Sequence, residues 1–273
     1  MSPTVVGPST KTVEPRLPTL VELGFLLRPA GILRRGYLVG RPALFLAAYW
    51  AFASQAIWPL ALLCLTGMFI SGVAVLNDLI HESIGVPQRV ARVLIGGVAA
   101  MLLENGAAVR ASHLQHHFGE PTDFDPEGYI DAYTWPRLLR ECPRYRYRLW
   151  NWAYRNHPES RSAVVFQSSV HVAVLLAALA IPSAPLRVLV ALLLLAGLVF
   201  PIVSARGPQN AWGHGDPNAT IVRGVVLPRL LLGMVFHLEH HLYPQVPTYQ
   251  LAELSRRLDP WLQARGVVRI GVW

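Results

Sequence analysis

Two short histidine runs are the part of this sequence most able to do chemistry. The chain contains ten histidines, and the runs HLQHH and HLEHH hold six of them: His113, His116, His117, His237, His240 and His241. On an α-helix, positions i, i+3 and i+4 lie on one face, so each run can direct three imidazoles toward one point. Imidazole is a nitrogen donor that suits iron, zinc and copper. A lone histidine in a membrane protein is usually structural, but two such runs predict a metal site.

Two further histidines follow apolar stretches and have an asparagine four positions earlier. Asn77 and His81 bound the run NDLIH, and Asn210 and His214 bound the run NAWGH. The spacing of four places each pair on one helical face, from which both side chains can reach the same site. Eight histidines in motif-like positions are too many for one metal that keeps open positions. They are the number expected for two metals that each leave a place for oxygen.

Acidic side chains near these motifs can accept a ring N–H and so fix the tautomer of a metal-binding histidine. The candidates for this role are Asp78, Glu82, Asp123, Asp125 and Glu239. The remaining two histidines belong to no motif. We interpret His157 as a loop residue, and His171, within an apolar stretch, as a residue bonded to a neighbouring helix.

The composition indicates a membrane protein. The chain is 53% hydrophobic and 15% charged, whereas about 25% of residues are charged in a typical soluble domain. The formal charge of +8 suits either nucleic acid or basic loops beside anionic lipid. We predict no nucleic-acid partner, because the chain contains no recognised nucleic-acid module and its arginines have a membrane explanation.

Two apolar stretches, 43–76 and 163–204, are each too long for one membrane span and suit two. Trp58-Pro59 and the prolines at 182 and 185 are predicted turns, because proline interrupts a helix. The prediction is four transmembrane helices in two hairpins, at about 43–58, 60–76, 163–181 and 186–203. The apolar segment 90–109, interrupted by Arg92 and Glu104, is predicted as an interfacial or buried helix, with a fifth span as the alternative.

The charge distribution predicts the orientation in the membrane. The predicted hairpin turns are almost uncharged, whereas the segment from Arg137 to Arg155 is rich in arginine, so the positive-inside rule places the termini and long loops in the cytoplasm. We therefore predict an all-α integral membrane protein with a cytoplasmic histidine-rich cap. Residues 1–40 form a cytoplasmic or interfacial arm, and residues 41–273 form the membrane domain, with the cap at 77–160 and 205–273.

Three segments resemble the membrane fatty acid desaturase superfamily, which includes acyl desaturases, lipid hydroxylases and carotenoid ketolases. They are SHLQHHFGEPTDFDPEGY, HLEHHLYPQVPTYQLAEL and NAWGH, and the resemblance covers about 43–262. It implies a four-span bundle under a cytoplasmic cap that holds two irons. The implied ligands are His81, His113, His116, His117, His214, His237, His240 and His241, with Asn210 as a weaker or water-mediated ligand.

The first histidine motif departs from the family pattern. It normally reads His-Asp-x-x-His, but here it reads NDLIH, with Asn77 in the first position. An amide oxygen is a poorer ligand for iron than imidazole is. The change predicts that one iron binds more weakly, takes Asp78 or Glu82 instead, or has altered reactivity.

The activity implied by the resemblance is O2-dependent oxidation of an unactivated C–H bond in a fatty acyl or other lipid-like substrate, giving a double bond or an alcohol. One alternative is a ketolase or hydroxylase acting on a carotenoid, terpenoid or specialised metabolite. Another is a membrane zinc hydrolase or a metal-binding protein without redox activity. Zinc hydrolases usually need only three protein ligands, so eight histidines argue against that alternative.

The electrons for such a reaction are expected from a separate donor, such as a ferredoxin. The sequence lacks the His-Pro-Gly-Gly run of a fused cytochrome b5, a dinucleotide-binding glycine fingerprint and a cysteine set for an iron–sulfur cluster. The arginine-rich loop from Arg137 to Arg155 is a candidate docking face for an acidic donor. The alternative role for this loop is membrane orientation and lipid contact.

Overall fold

The computed structural model describes residues 16–118, 124–130, 133–206, 221–223, 226–265 and 269–271. The described secondary structure is almost entirely helical, so the predicted helical class is confirmed. A pair of short parallel strands, Ile221–Arg223 and Arg269–Gly271, was not predicted.

Seven helices precede residue 201 in the described part of the chain: α1 (Ile32–Ser54), α2 (Trp58–Ile80), α3 (Gln88–Met101), α4 (Gly106–Phe118), α5 (Trp135–Asn156), α6 (Arg161–Ala180) and α7 (Ala184–Phe200). A π-helical turn, Pro201–Arg206, continues α7. The later helices are Val226–Leu230, His237–Leu242 and the C-terminal helix Leu251–Ala264. Helix His237–Leu242 carries the run HLEHH, the third histidine motif, and is called the third-box helix. Short 3-10 turns occupy Gly128–Ile130, Pro158–Ser160 and Thr248–Gln250.

The first hairpin is formed by α1 and α2. The chain reverses at 55–57, and α2 begins at Trp58 with a proline in its first turn, where the missing N–H costs nothing. Tyr49, Leu65 and Met68 lie in one buried apolar cluster between the helices. The Tyr49 hydroxyl donates to the carbonyl of Pro185 at 2.5 Å, which connects this hairpin to the start of α7.

The second hairpin is formed by α6 and α7. The chain reverses at 181–183, and the Ser183 hydroxyl accepts a hydrogen bond from the Leu186 N–H at 3.4 Å, which caps α7. Proline again stands in the first turn of the second helix. Both hairpins thus end one helix and begin the next close to the prolines from which the turns were predicted.

Three segments are long and apolar enough to cross a membrane: Trp58–Ile80, Pro158–Ala180 and Ala184–Val203. Together, α3 and α4 pass the same test but are bent by 107°, so the number rises to four if this bent pair is one span. Helix α1, which contains most of the predicted span 43–58, is not in this set, so its crossing stays a prediction.

The bend between α3 and α4 is held from two sides. Asn105 accepts the Ala108 N–H at 3.1 Å and donates from Nδ2 to the Val164 carbonyl of α6 at 2.8 Å. Glu104 pairs with Arg146 of α5, at 2.8 Å between Oε1 and Nε. Polar side chains at the break therefore set the direction in which α4 carries the first HxxHH run.

The described part of the predicted N-terminal arm packs against the end of the chain. Leu23 and Leu26 are buried with Leu254 and Leu258 of the C-terminal helix, and burial of a leucine stabilises a fold by about 2 kcal/mol. The Tyr243 hydroxyl donates to the Pro18 carbonyl at 2.5 Å. Residues 16–31 therefore cover the segment that follows the third-box helix, and α1 begins inside the stretch assigned to the arm.

Candidate metal centre

Seven of the eight histidines proposed as ligands meet in two adjoining groups. The first group is His81, His113, His117 and His240, and the second is His116, His237 and His241. Within each group the potential ligand atoms all lie within 4.8 Å of one another. The rings of His117 and His241 are 4.2 Å apart, so the groups share a border. His214 and Asn210 lie outside the described residues.

Each HxxHH run is divided between the two groups. In α4, His113 and His117 belong to the first group and His116 to the second. In the third-box helix, His237 and His241 belong to the second group and His240 to the first, the opposite division. The cause is helical geometry, because positions i and i+4 differ by about 40° around the axis whereas i+3 and i+4 differ by about 100°. From the spacing, each run was predicted to direct its three imidazoles toward one point. In the structure, the imidazoles of each run belong to two different groups.

His81 joins the first group from the end of α2. It follows the last helical residue, and its backbone N–H donates to the Asn77 carbonyl at 3.1 Å. Its ring lies 4.6 Å from that of His117 and 4.9 Å from that of His240. The first group thus combines donors from α2, α4 and the third-box helix at the end of a candidate membrane span.

Asn77 lies beside a histidine of this group. Its Oδ1 is 3.0 Å from Nε2 of His113. The other ring nitrogen of His113, Nδ1, is 3.1 Å from the Glu127 carboxylate. Nε2 is therefore the nitrogen that His113 can offer to a metal, and the Asn77 amide stands next to it.

Asp125 holds His116 in place. Its Oδ2 lies 2.8 Å from His116 Nδ1, and its Oδ1 accepts the backbone N–H groups of Glu127 and Gly128 at 2.8 and 2.9 Å. Burial acts to raise the pKa of Asp125, but the hydrogen bonds from His116 and these amides keep that pKa below its ordinary value. An ionised Asp125 retains the proton on Nδ1 and leaves Nε2 of His116 to face a metal.

Glu127 holds His113 in the same way, although it was not among the acidic residues predicted from the sequence. Its Oε2 faces His113 Nδ1, and its Oε1 accepts the Ser112 hydroxyl at 3.0 Å. Burial acts to raise the pKa of Glu127, but the interaction with His113 lowers that pKa overall. The sequence signal was the run DPEG, because Asp-Pro and Gly favour a turn that returns both carboxylates to α4.

The histidine groups fit a transition metal. The Nε2 atoms of His81, His117 and His237, and both ring nitrogens of His240, are buried without a hydrogen-bond partner among the described residues. Leaving a buried polar atom unpaired costs about 1–3 kcal/mol, and a bound ion would remove that cost. Burial lowers the pKa of His81 and of His237 to about 3, which keeps these imidazoles neutral, as metal binding requires.

Comparison with known protein families supports the resemblance found in the sequence. The sequence model of the family described as "Fatty acid desaturase" matches residues 50–273. The chain belongs to the fatty acid desaturase family. The resemblance found in the three segments is thereby confirmed, and family membership implies an oxidoreductase that modifies lipids. A search of curated proteins found no match.

Other acidic residues of this desaturase-family chain contact elements around the histidines. The carboxylate of Asp78 accepts the Thr248 N–H and hydroxyl, each at 2.8 Å. The buried Glu239 accepts the Ser255 hydroxyl at 2.6 Å, which fastens the third-box helix to the C-terminal helix. Glu82 is exposed, and Asp123 lies outside the described residues.

The two histidines outside the motifs also lie outside both metal groups. His157 follows the end of α5 and pairs with Glu159 at 3.0 Å, as expected of a loop residue. His171 Nδ1 bonds to the Gln167 carbonyl of its own helix at 2.6 Å, and its ring lies 4.9 Å from that of Trp150 on the neighbouring α5. Neither residue is placed to bind the same ions.

The arginine-rich segment is a helix, which corrects its prediction as a loop. One face of α5 is buried through Leu138, Tyr145 and Leu149. The opposite face exposes five arginines at helical spacing: Arg137, Arg140, Arg144, Arg148 and Arg155. Hydrophobic residues at the matching period drive this amphipathic arrangement. Arg146 is an exception, because it is buried against Glu104.

Proposed function

We propose that this protein is a di-iron, O2-dependent membrane enzyme that desaturates or hydroxylates an unactivated C–H bond in a fatty acyl or other lipid-like substrate. The observation that carries the proposal is the division of seven imidazoles into two adjoining groups. Each group offers at least three nitrogen donors, which supports two ions rather than one. A site made of imidazoles, with carboxylates behind two of them, suits iron.

The proposed ligands follow from the two groups. One ion would be held by His81, His113, His117 and His240, and the other by His116, His237 and His241. We propose that His214 completes the coordination of the second ion, with Asn210 as a weaker or water-mediated ligand. Asn77 is proposed as a weak ligand of the first ion, because its amide adjoins Nε2 of His113.

Bound iron would supply the activation of O2 and the oxidation of the substrate. The protein's own contribution is to hold the donors neutral and oriented. Asp125 and Glu127 each accept a hydrogen bond from a ring N–H, that of His116 Nδ1 and that of His113 Nδ1, so the opposite nitrogen of each ring remains available. Desolvation lowers the pKa of His237 and of His240, which keeps both imidazoles neutral and able to bind an ion.

The position of the site favours a substrate drawn from the bilayer. His81 directly follows the apolar candidate span Trp58–Ile80, so a lipid chain need not leave apolar surroundings to approach the first group. We propose that this end of the span and both termini are cytoplasmic, as the arginine distribution predicts. The five exposed arginines of α5 are the proposed docking face for a separate acidic electron donor such as a ferredoxin.

The test is metal analysis combined with product analysis. Purified protein is expected to contain about two irons per chain. Lipid extracts from cells with and without the gene are expected to differ by an oxidised lipid that forms only when O2 is present. A single zinc per chain, with product formation that does not require O2, would contradict the proposal.

A further inference from the structure

A cavity that contains none of the histidines lies where the N-terminal segment meets the C-terminal helix. Its volume is about 390 Å³, and its polar lining is Arg28, Arg34, Tyr249, Gln250, Glu253 and Arg256. One helix, α1, begins at its rim after Gly31. The first N–H groups of a helix have no partner within that helix, and they favour an anion.

The charges around this cavity are mostly positive. Its one carboxylate, Glu253, is already engaged by Arg256 at 2.6 Å and by Arg257 at 3.2 Å. Neither Arg28 nor Arg34 forms an ion pair with an acidic side chain in the described part of the chain. The planar guanidinium group matches phosphate oxygens in pairs, so this set of side chains suits a phosphate group.

Arg34 is held at the rim of the cavity. Its guanidinium carbon lies 3.8 Å from the centre of the Tyr249 ring, a stacking that restricts its freedom. The Gln250 side chain donates to the Leu26 carbonyl at 3.0 Å, which fastens the two walls together. Part of the entropic cost of ordering the site is therefore met before a ligand arrives.

Apolar side chains beside the cavity point to a membrane surface as the source of the phosphate. Ile32 and Leu33, the first residues of α1, are 80% and 88% exposed. Exposed apolar residues next to arginines are typical of a segment that lies in the headgroup region of anionic lipids. A soluble phosphate compound would use the arginines but would leave these apolar side chains in water.

We propose that this cavity binds the phosphate of an anionic membrane phospholipid. Ile32 and Leu33 enter the bilayer beside it, and Arg28, Arg34 and Arg256 contact the headgroup. The cavity is connected to the first histidine group through Thr248. This residue precedes Tyr249 of the cavity lining and donates two hydrogen bonds to Asp78, which lies beside Asn77. Lipid binding here does not depend on which reaction the histidines support.

The test is native mass spectrometry of the full chain released from nanodiscs that contain phosphatidylglycerol or phosphatidylcholine. Wild-type protein is expected to retain phosphatidylglycerol preferentially. The double variant Arg28→Gln/Arg34→Gln is expected to bind it about 25-fold more weakly, since each arginine near an anionic surface contributes about fivefold. The matched control, Arg89→Gln/Arg92→Gln, removes two exposed arginines of α3 and is expected to retain the lipid.

Several outcomes would overturn the proposal. One is equal retention by wild type and double variant, and another is equal retention of the two lipids. Displacement of the lipid by millimolar inorganic phosphate would show that the site takes free phosphate instead. If the double variant does not fold, as judged by its helical circular dichroism, the single variant Arg28→Gln is measured in its place, with the same expected direction.

Discussion

The buried carboxylate of Asp78 accepts two hydrogen bonds from Thr248, one from the backbone N–H and one from the hydroxyl, each at 2.8 Å. These residues are separated by 170 positions in the chain. Asp78 stands between Asn77 and His81 at the end of α2, and Thr248 begins the turn that follows the third-box helix. The pair therefore fixes the position of His81 relative to His240.

Removing this connection is expected to loosen the first histidine group. Thr248→Val keeps the shape but loses the hydroxyl hydrogen bond to a buried carboxylate, which costs about 1–3 kcal/mol. Thermal unfolding in detergent and iron content measure the effect, and both are expected to fall. The control is Thr66→Val on α2, the helix that carries Asp78, because the Thr66 hydroxyl donates to the Leu62 carbonyl of the same helix one turn earlier. An equal response of the two variants would contradict a specific role for Thr248.

Replacing one histidine from each group is expected to affect different ions. His240→Ala removes a donor from the first group, and His237→Ala removes one from the second. Each variant is expected to lose turnover and about half of the bound iron, because a metal centre loses affinity steeply when a ligand is removed. Iron analysis with Mössbauer spectroscopy distinguishes the ions. His157→Ala, outside both groups, is the control, and full iron content in His240→Ala would refute the ligand assignment.

Asn77→His is expected to strengthen iron binding in the first group. The new imidazole would stand beside Nε2 of His113, where the amide oxygen now lies 3.0 Å away. Imidazole is a better donor for iron than an amide oxygen is. The rate of iron loss to a chelator is expected to be slower than in the wild type, and faster in Asn77→Ala. Unchanged rates and unchanged activity in both variants would show that Asn77 does not contact the ion.

Glu127→Gln is expected to weaken binding of the first ion without removing a ligand. Glutamine cannot hold the Nδ1 proton of His113 as firmly as a carboxylate does, and loss of such a partner typically lowers metal affinity about 10–100-fold. Competition with a chelator measures the affinity. Glu82→Gln, at an exposed position near the same group, is expected to behave as the wild type. If both variants bind iron equally well, Glu127 does not orient His113.

Metal-free protein is expected to lose stability as the pH falls from about 6.5 toward 3. Burial lowers the pKa of His81 and of His237 to about 3 in the folded chain, from an ordinary value of 6.5. Between these values the unfolded chain binds more protons, so acid favours unfolding by about 1.4 kcal/mol per pH unit for each such histidine. Unfolding midpoints between pH 5 and 7 measure this slope.

The control for the acid experiment removes the titrating groups. His81→Gln/His237→Gln in metal-free form is expected to show a flatter dependence of the unfolding midpoint on pH. A wild-type midpoint that does not change over this pH range would contradict neutral, buried imidazoles in the folded protein.

The chemistry of the donors and the helical class of the protein follow from local patterns in the chain. The HxxHH spacing is a property of one helical turn, and a long apolar stretch interrupted by proline is a local signal for a helical hairpin. The role of Asp125 was also accessible, because it lies only nine positions after His116. The run DPEG held a comparable signal for Glu127.

The way in which those donors are shared depends on contacts between distant segments. Helical spacing separates the middle histidine of each run from the other two, but the two groups form because α4, turned through 107° from α3, faces the third-box helix, which comes from the far end of the chain. The bond between Asp78 and Thr248, and the packing of Leu23 on the C-terminal helix, also join distant segments. Such contacts depend on which faces meet after folding, and periodicity within one segment carries no information about its distant partner.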